Sequence, residues 1–201
     1  MALAGREDLR VAKTKDAISR AMVQLLHEKD IHSITVQNIL DRAMVNRKTF
    51  YKYFRDKYDL VEQMADGLIK KIFANADSAT ILDQLKILDS HGLDLIYKSY
   101  YDNKDLILAL WDVRTENLDF FKLLQTLFQE YFFEFIDFEP GDSKDLAFVS
   151  FIFSTLLLNS LKYILESGKV YSGAMVRSEI INFYRILLKN PTGKKPSQRK
   201  V

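Results

Sequence analysis

The chain contains no cysteine. Disulfides, thiolate nucleophiles and cysteine-held zinc or iron–sulfur centres are therefore excluded together. The absence fits a reducing cytoplasm. Histidine is scarce as well, with only His27, His32 and His91. His27 falls near the end of the first helix and His32 lies in the loop after it, not together on one helical face, so no metal or other cofactor is expected. No nucleophile–base pair, phosphate loop or HExxH-type run is present, which argues against an enzyme. Glycine and proline are few, at seven and three in 201 residues. With so few breakers and apolar spacing that is helical nearly throughout, the fold class is all-α. The N-terminal MALAGREDLR lacks the apolar core of a secretory signal. The most hydrophobic stretch, Leu146 to Leu165, is interrupted by Ser150, Ser154, Thr155, Asn159, Ser160 and Lys162. A membrane span needs about 20 mostly apolar residues, so a buried or interfacial helix is the better reading.

What the chain does have is charge that is unevenly placed. The formal net charge is only +2. Residues 1–58 nevertheless carry twelve Lys and Arg against seven Asp and Glu. Residues 189–201 carry five basic residues and no acid, and the span between carries twelve basic and twenty acidic residues. A basic head on an acidic body suits a protein that places one end on a polyanion.

The head reads as three helices. The first is expected from about Thr14 to Glu28, with Ile18, Met22, Leu25 and Leu26 on one face and residues 1–13 as a frayed arm. Thr35 can cap a second helix whose apolar residues, Val36, Ile39, Leu40 and Ala43, fall at i, i+3, i+4 and i+7. Met44 and Val45 fill a tight turn. Asn46 can cap a third helix, in which Phe50 and Phe54 form a buried i, i+4 pair. Arg47, Lys48, Thr49, Tyr51, Lys52 and Tyr53 then lie mostly off the buried stripe. A short helix carrying cations, hydroxyls and phenols suits a DNA major groove, where such groups hold phosphates and read base edges.

The segment from about Thr14 to Asp59 resembles the DNA-binding domain of the tetracycline-repressor (TetR) family of bacterial regulators. The resemblance rests on the capped second helix, the TFYKYF pattern at 49–54, and Lys57 and Leu60 opening a fourth helix. The wording VNRKTFY at 45–51 is similar to a subgroup typified by the dihydroxyacetone-kinase activator. Many members carry glycine in the turn where this chain has Met44, so a slightly different turn is expected here. The resemblance implies a homodimer on a near-palindromic double-stranded operator. It assigns DNA contact to Thr35, Gln37, Asn46, Arg47, Lys48, Thr49, Tyr51, Lys52, Tyr53 and Lys57, with Lys57 on phosphate. Arg6, Arg10 and Lys13 lead directly into this head. The division is a DNA-binding domain at 1–55, an effector-binding and dimerisation domain at 56–190, and a disordered basic tail at 191–201.

The fourth helix is expected from Asp56, as cap, to about Phe73. Further helices are expected at about 80–101 with a bend at Gly92, after Asn103, at 117–136, at 143–166 with Ser143 as cap and Gly168 as stop, and at 172–188 closed by Pro191. The body is rich in aromatics, most of which suit a packed core. A small-molecule effector cavity would be lined by His91, Tyr97, Tyr101, Trp111 and Arg114. A body that binds a protein partner instead is the alternative. The helix at 143–166 is apolar nearly all round, more than one core can cover, so it and the helix at 172–188 are assigned to a four-helix dimer interface. Phe151, Leu158 and Tyr184 are the candidate contacts.

Overall fold

A computed structural model of the chain describes residues 2–73, 98–135 and 145–189. Its regular elements are helices: α1 (Ala2–Glu28), α2 (Val36–Ala43), α3 (Arg47–Tyr53), α4 (Lys57–Phe73), α5 (Lys104–Leu110), α6 (Phe120–Phe135), α7 (Leu146–Glu166) and α8 (Gly173–Lys189). A 3-10 turn, Ile31–Ser33, joins α1 to α2. Residues 98–102 are also helical. The all-α class is thus observed.

Several boundaries differ from expectation, each for a local reason. Helix α1 begins at Ala2 rather than Thr14, so residues 2–13 extend the helix instead of forming an arm. That stretch holds no proline and several good helix formers. Helix α6 begins at Phe120 rather than near Asn117, because Asp119 accepts the Lys122 N–H as a cap would. Thr115 meanwhile accepts the N–H of Leu118 and holds the preceding loop. Helix α7 is capped by Asp145, which accepts from Phe148 N, and not by Ser143. Elsewhere the expected punctuation is in place. Asp56 accepts the N–H groups of Tyr58 and Asp59 at the start of α4, and Gly168 after α7 has φ of 67°. The expected bend at Gly92, the stop at Pro191 and the basic tail lie outside the described residues.

One hydrophobic core runs from head to body. Ile18, Met22 and Leu25 of α1 meet Ile39 and Leu40 of α2, Phe50 and Phe54 of the third helix and its end, and Leu60, Met64 and Leu68 of α4. The same cluster continues through Ile107, Leu110, Trp111, Phe120 and Leu124 to Leu158, Leu161 and Leu165 of α7. Helix α5 is the bridging element, since it packs against α1, α4 and α7. Lys71 near the end of α4 donates to Asn103 at 2.8 Å, and Asn103 in turn donates to the Ser99 carbonyl.

Candidate nucleic-acid interface

The α2–α3 unit is built by reciprocal caps. Thr35 Oγ1 accepts the Asn38 N–H, while Asn38 Oδ1 accepts the Thr35 N–H, both at 3.1 Å. Asn46 Oδ1 accepts the Thr49 N–H at 2.8 Å. These side chains satisfy N–H groups that have no partner within their own helices. Phe50 is fully buried and Phe54 nearly so, with ring centroids 5.6 Å apart. Together they fix the rotation of α3 about its axis. Arg47, Lys48, Tyr51 and Lys52 are consequently exposed, and Thr49 and Tyr53 half-buried.

The exposed face is itself organised. Gln37 Oε1 accepts from the Arg47 guanidinium at 3.2 Å, and Gln37 Nε2 donates to Asp41 at 2.7 Å. This chain restrains Arg47 while leaving it in water. Lys15 and Lys52 each lie within 5.6 Å of the Tyr53 ring centre, a cation–π arrangement that gathers two cations around one phenol. At the back of the unit, Arg42 donates to Glu28 and ties α2 to the end of α1. That hydrogen bond holds the Glu28 carboxyl below its usual range. Between α1 and α3 runs an open groove of about 660 Å³, lined by Arg10, Thr14, Met44, Asn46, Thr49, Lys52 and Tyr53 among others.

Residues 18–64 match the tetR family of bacterial regulatory proteins. The match runs from the second half of α1 to the first half of α4, so it is the head that is similar to this family. Over 190 residues, 90% of this chain and 48% of the relative, it is 25% identical to the uncharacterized HTH-type transcriptional regulator YxbF of Bacillus subtilis. Over 112 residues, 56% of each chain, it is 26% identical to the HTH-type dhaKLM operon transcriptional activator DhaS of Lactococcus lactis. The chain spans about half the length of the curated relatives it matches. Among solved structures, a TetR transcriptional regulator from Streptococcus agalactiae shares the fold with a TM-score of 0.58 at 24% identity, over 92% of this chain and 98% of the other. By these comparisons the chain is similar to HTH-type transcriptional regulators.

Two residues of this head behave differently from expectation. Met44 was expected to sit in an altered turn. It instead closes α2 in the left-handed conformation, with φ of 53° and ψ of 43°. The turn has the geometry that favours glycine, and a side chain there costs on the order of 1 kcal/mol. Lys57 was assigned to phosphate, but its ammonium points inward. Nζ donates to the carbonyls of Ile31 at 2.8 Å, His32 at 3.0 Å and Ile34 at 2.6 Å. All three of its donors are used, and at Ile31 the ammonium adds to the bond that the carbonyl already accepts from the Ile34 N–H. Lys57 therefore locks α4 to the connection before α2. Its position opening α4 was legible in the sequence; the carbonyl cluster from a segment more than twenty residues away was not.

The body candidates separate. Tyr101 is half-buried and its hydroxyl donates to the Lys169 carbonyl. Trp111 is 4% exposed, packs edge-on against Phe121 and lies under the Lys162 ammonium. Arg114 is exposed and paired with Asp119 across an isolated bridge. Trp111 is thus a core residue and Arg114 a surface one, which corrects their assignment to a shared lining. His91 and Tyr97 lie outside the described residues. Of the interface candidates, Phe151 is 48% exposed. Leu158 is fully buried and belongs to the subunit's own core, which corrects its assignment. Tyr184 lies on α8, but its side chain is outside the described residues. Helix α7 has two apolar faces. Leu158, Leu161, Ile164 and Leu165 face inward, whereas Phe148, Phe151, Ile152, Leu156 and Tyr163 are exposed. On α8, Ile180, Ile181, Phe183, Ile186 and Leu187 are exposed too.

Proposed function

We propose that the protein is a homodimer that grips a near-palindromic operator with two α2–α3 units and changes their relative placement when its body binds an effector. The observation that supports pairing is the exposed apolar surface of α7 and α8. Contiguous apolar patches beyond a few hundred Å² are rare on monomers, and a two-fold pairing of these helices would cover them. Under this reading Arg47 and Lys48 face base edges, Thr49, Tyr51, Lys52 and Tyr53 face backbone or bases, and Thr35, Gln37 and Asn46 support them. The effector, a small molecule, would bind the state in which the two heads no longer match successive major grooves about 34–36 Å apart. It can release DNA only in proportion to its preference for that state. The coupling runs through α5, which touches α1 and α4, and through α4, which Lys57 fastens to the head. The setting is the cytoplasm, where operator DNA lies.

The test is selection of bound duplexes from a randomised library, followed by titration of the selected operator against salt. A dimer that neutralises about 6–10 phosphates gives a log–log slope of about −5 to −9. The selected sites should be inverted repeats. Retention of no duplex at low salt, or a slope near zero, refutes the operator reading. A single half-site together with a monomer in sedimentation refutes the dimer.

A further inference from the structure

We infer that Met44 is a specificity-determining contact that reads a thymine 5-methyl group, an inference that rests on the operator reading above. Three observations converge on this residue. Its backbone is left-handed, which strains a side-chain-bearing residue and would relax with glycine. Its side chain is 92% exposed, so no packing compensates for the strain. It also stands at the mouth of the interface, two residues before the Asn46–Arg47 start of α3, on a groove otherwise walled largely by polar and cationic side chains. A position that costs stability and shows an apolar thioether to water gains nothing for the fold. Such strain at a binding surface points to a contact made outside the chain.

The chemistry of the contact follows from what a major groove offers. Most groups on its floor are hydrogen-bond donors or acceptors, and the thymine methyl is the apolar one. A methionine side chain is unbranched and polarizable and adapts to such a target. Asn46, Thr49 and Lys52 beside it supply the polar contacts that a methyl cannot use. Met44 therefore adds an apolar recognition element to a face that otherwise reads by hydrogen bond and charge.

The experiment uses the operator selected by the full-length wild-type protein. Each thymine is replaced in turn by deoxyuridine, which removes the methyl group alone. One position per half-site should weaken wild-type binding by about fourfold, the value of one methyl withdrawn from water. Met44→Gly should bind the thymine operator more weakly by at least that factor and be indifferent to deoxyuridine at that position. Met44→Gly should also melt higher than wild type, because glycine relieves the strain. Met44→Ala keeps the strained backbone and removes the thioether. It should lose the same affinity without the gain in stability, which separates contact from strain. If Met44→Gly binds as tightly as wild type, or retains sensitivity to the methyl at every position, the inference is overturned and the operator reading stands. If no duplex is selected at all, both fall.

Discussion

Removing the Lys57 ammonium tests whether this residue fastens the head or touches DNA. In Lys57→Met the alkyl stem remains and three donated hydrogen bonds disappear, at 2.8, 3.0 and 2.6 Å. The His32 carbonyl bond is exposed, so water can replace that donor, whereas the bonds to Ile31 and Ile34 are partly buried. A hydrogen bond from a charged group contributes about 1.5–3 kcal/mol, and the three share one ammonium, so a total loss of about 2–4 kcal/mol is expected. For a chain of this size each kcal/mol moves the melting temperature by about 2–4 °C, which gives a drop of about 5–15 °C. Thermal melting followed by circular dichroism reads this directly. The salt slope of operator binding should stay as in wild type. If Lys57 instead sits on phosphate, the dimer loses two counterion-releasing contacts and the slope becomes shallower by about 1.8. An unchanged melting temperature with a shallower slope would refute the fastening argument.

Three further outcomes are expected. Phe151→Glu should give a folded monomer in light scattering, because the position is exposed on α7, whereas Leu158→Glu should unfold the subunit by burying an unpaired charge at a cost of several kcal/mol; two folded, dimeric variants would place the interface elsewhere. Burial alone would raise the Asp59 carboxyl, yet hydrogen bonds from the Arg55 N–H, Gln63 and the Arg55 guanidinium hold it below its usual range. The ionised form therefore adds stability above the unfolded value of about 3.9, and this is lost as pH falls through the lower folded value. Asp59→Asn should melt lower than wild type at pH 7, and the gap should close only as pH falls below the unfolded value of about 3.9 and through the lower folded one; a gap that is the same at every acid pH would contradict the linkage. Arg47→Ala should relax base preference at one position per half-site by about 1–3 kcal/mol, and Gln37→Ala should relax the same position by less, since Gln37 acts by restraining Arg47. Loss at a different position would separate the two residues.

The legible parts of the sequence were those governed by local rules. The caps at Thr35, Asn46 and Asp56 depend on side chains within three residues of the N–H groups they accept. The Phe50–Phe54 pair depends on helical spacing alone. The second face of α7 was legible too, because Phe148, Phe151, Ile152 and Leu156 form one stripe beside another that includes Leu158 and Leu165. Telling which stripe faces inward needed the partners, and so Leu158 was placed on the wrong side. Lys57 failed for the same reason at longer range, since the carbonyls it binds converge on one point only when the 3-10 turn at Ile31 forms. Trp111 and Arg114 failed because residue type says nothing about which loop folds inward.

The two-faced α7 also bears on how much protein a cell can keep. By length and composition this helix could cross a bilayer, yet only 33% of its most apolar window is buried within one subunit. A newly made subunit that pairs through this helix must meet a twin before the remainder is covered. Until then its sticky side is open to chaperones and proteases. If subunits pair as proposed, association protects them and their survival rises with their own concentration. Sparse copies would then be cleared faster than abundant ones, and the standing amount of protein would respond more than proportionally to its rate of synthesis.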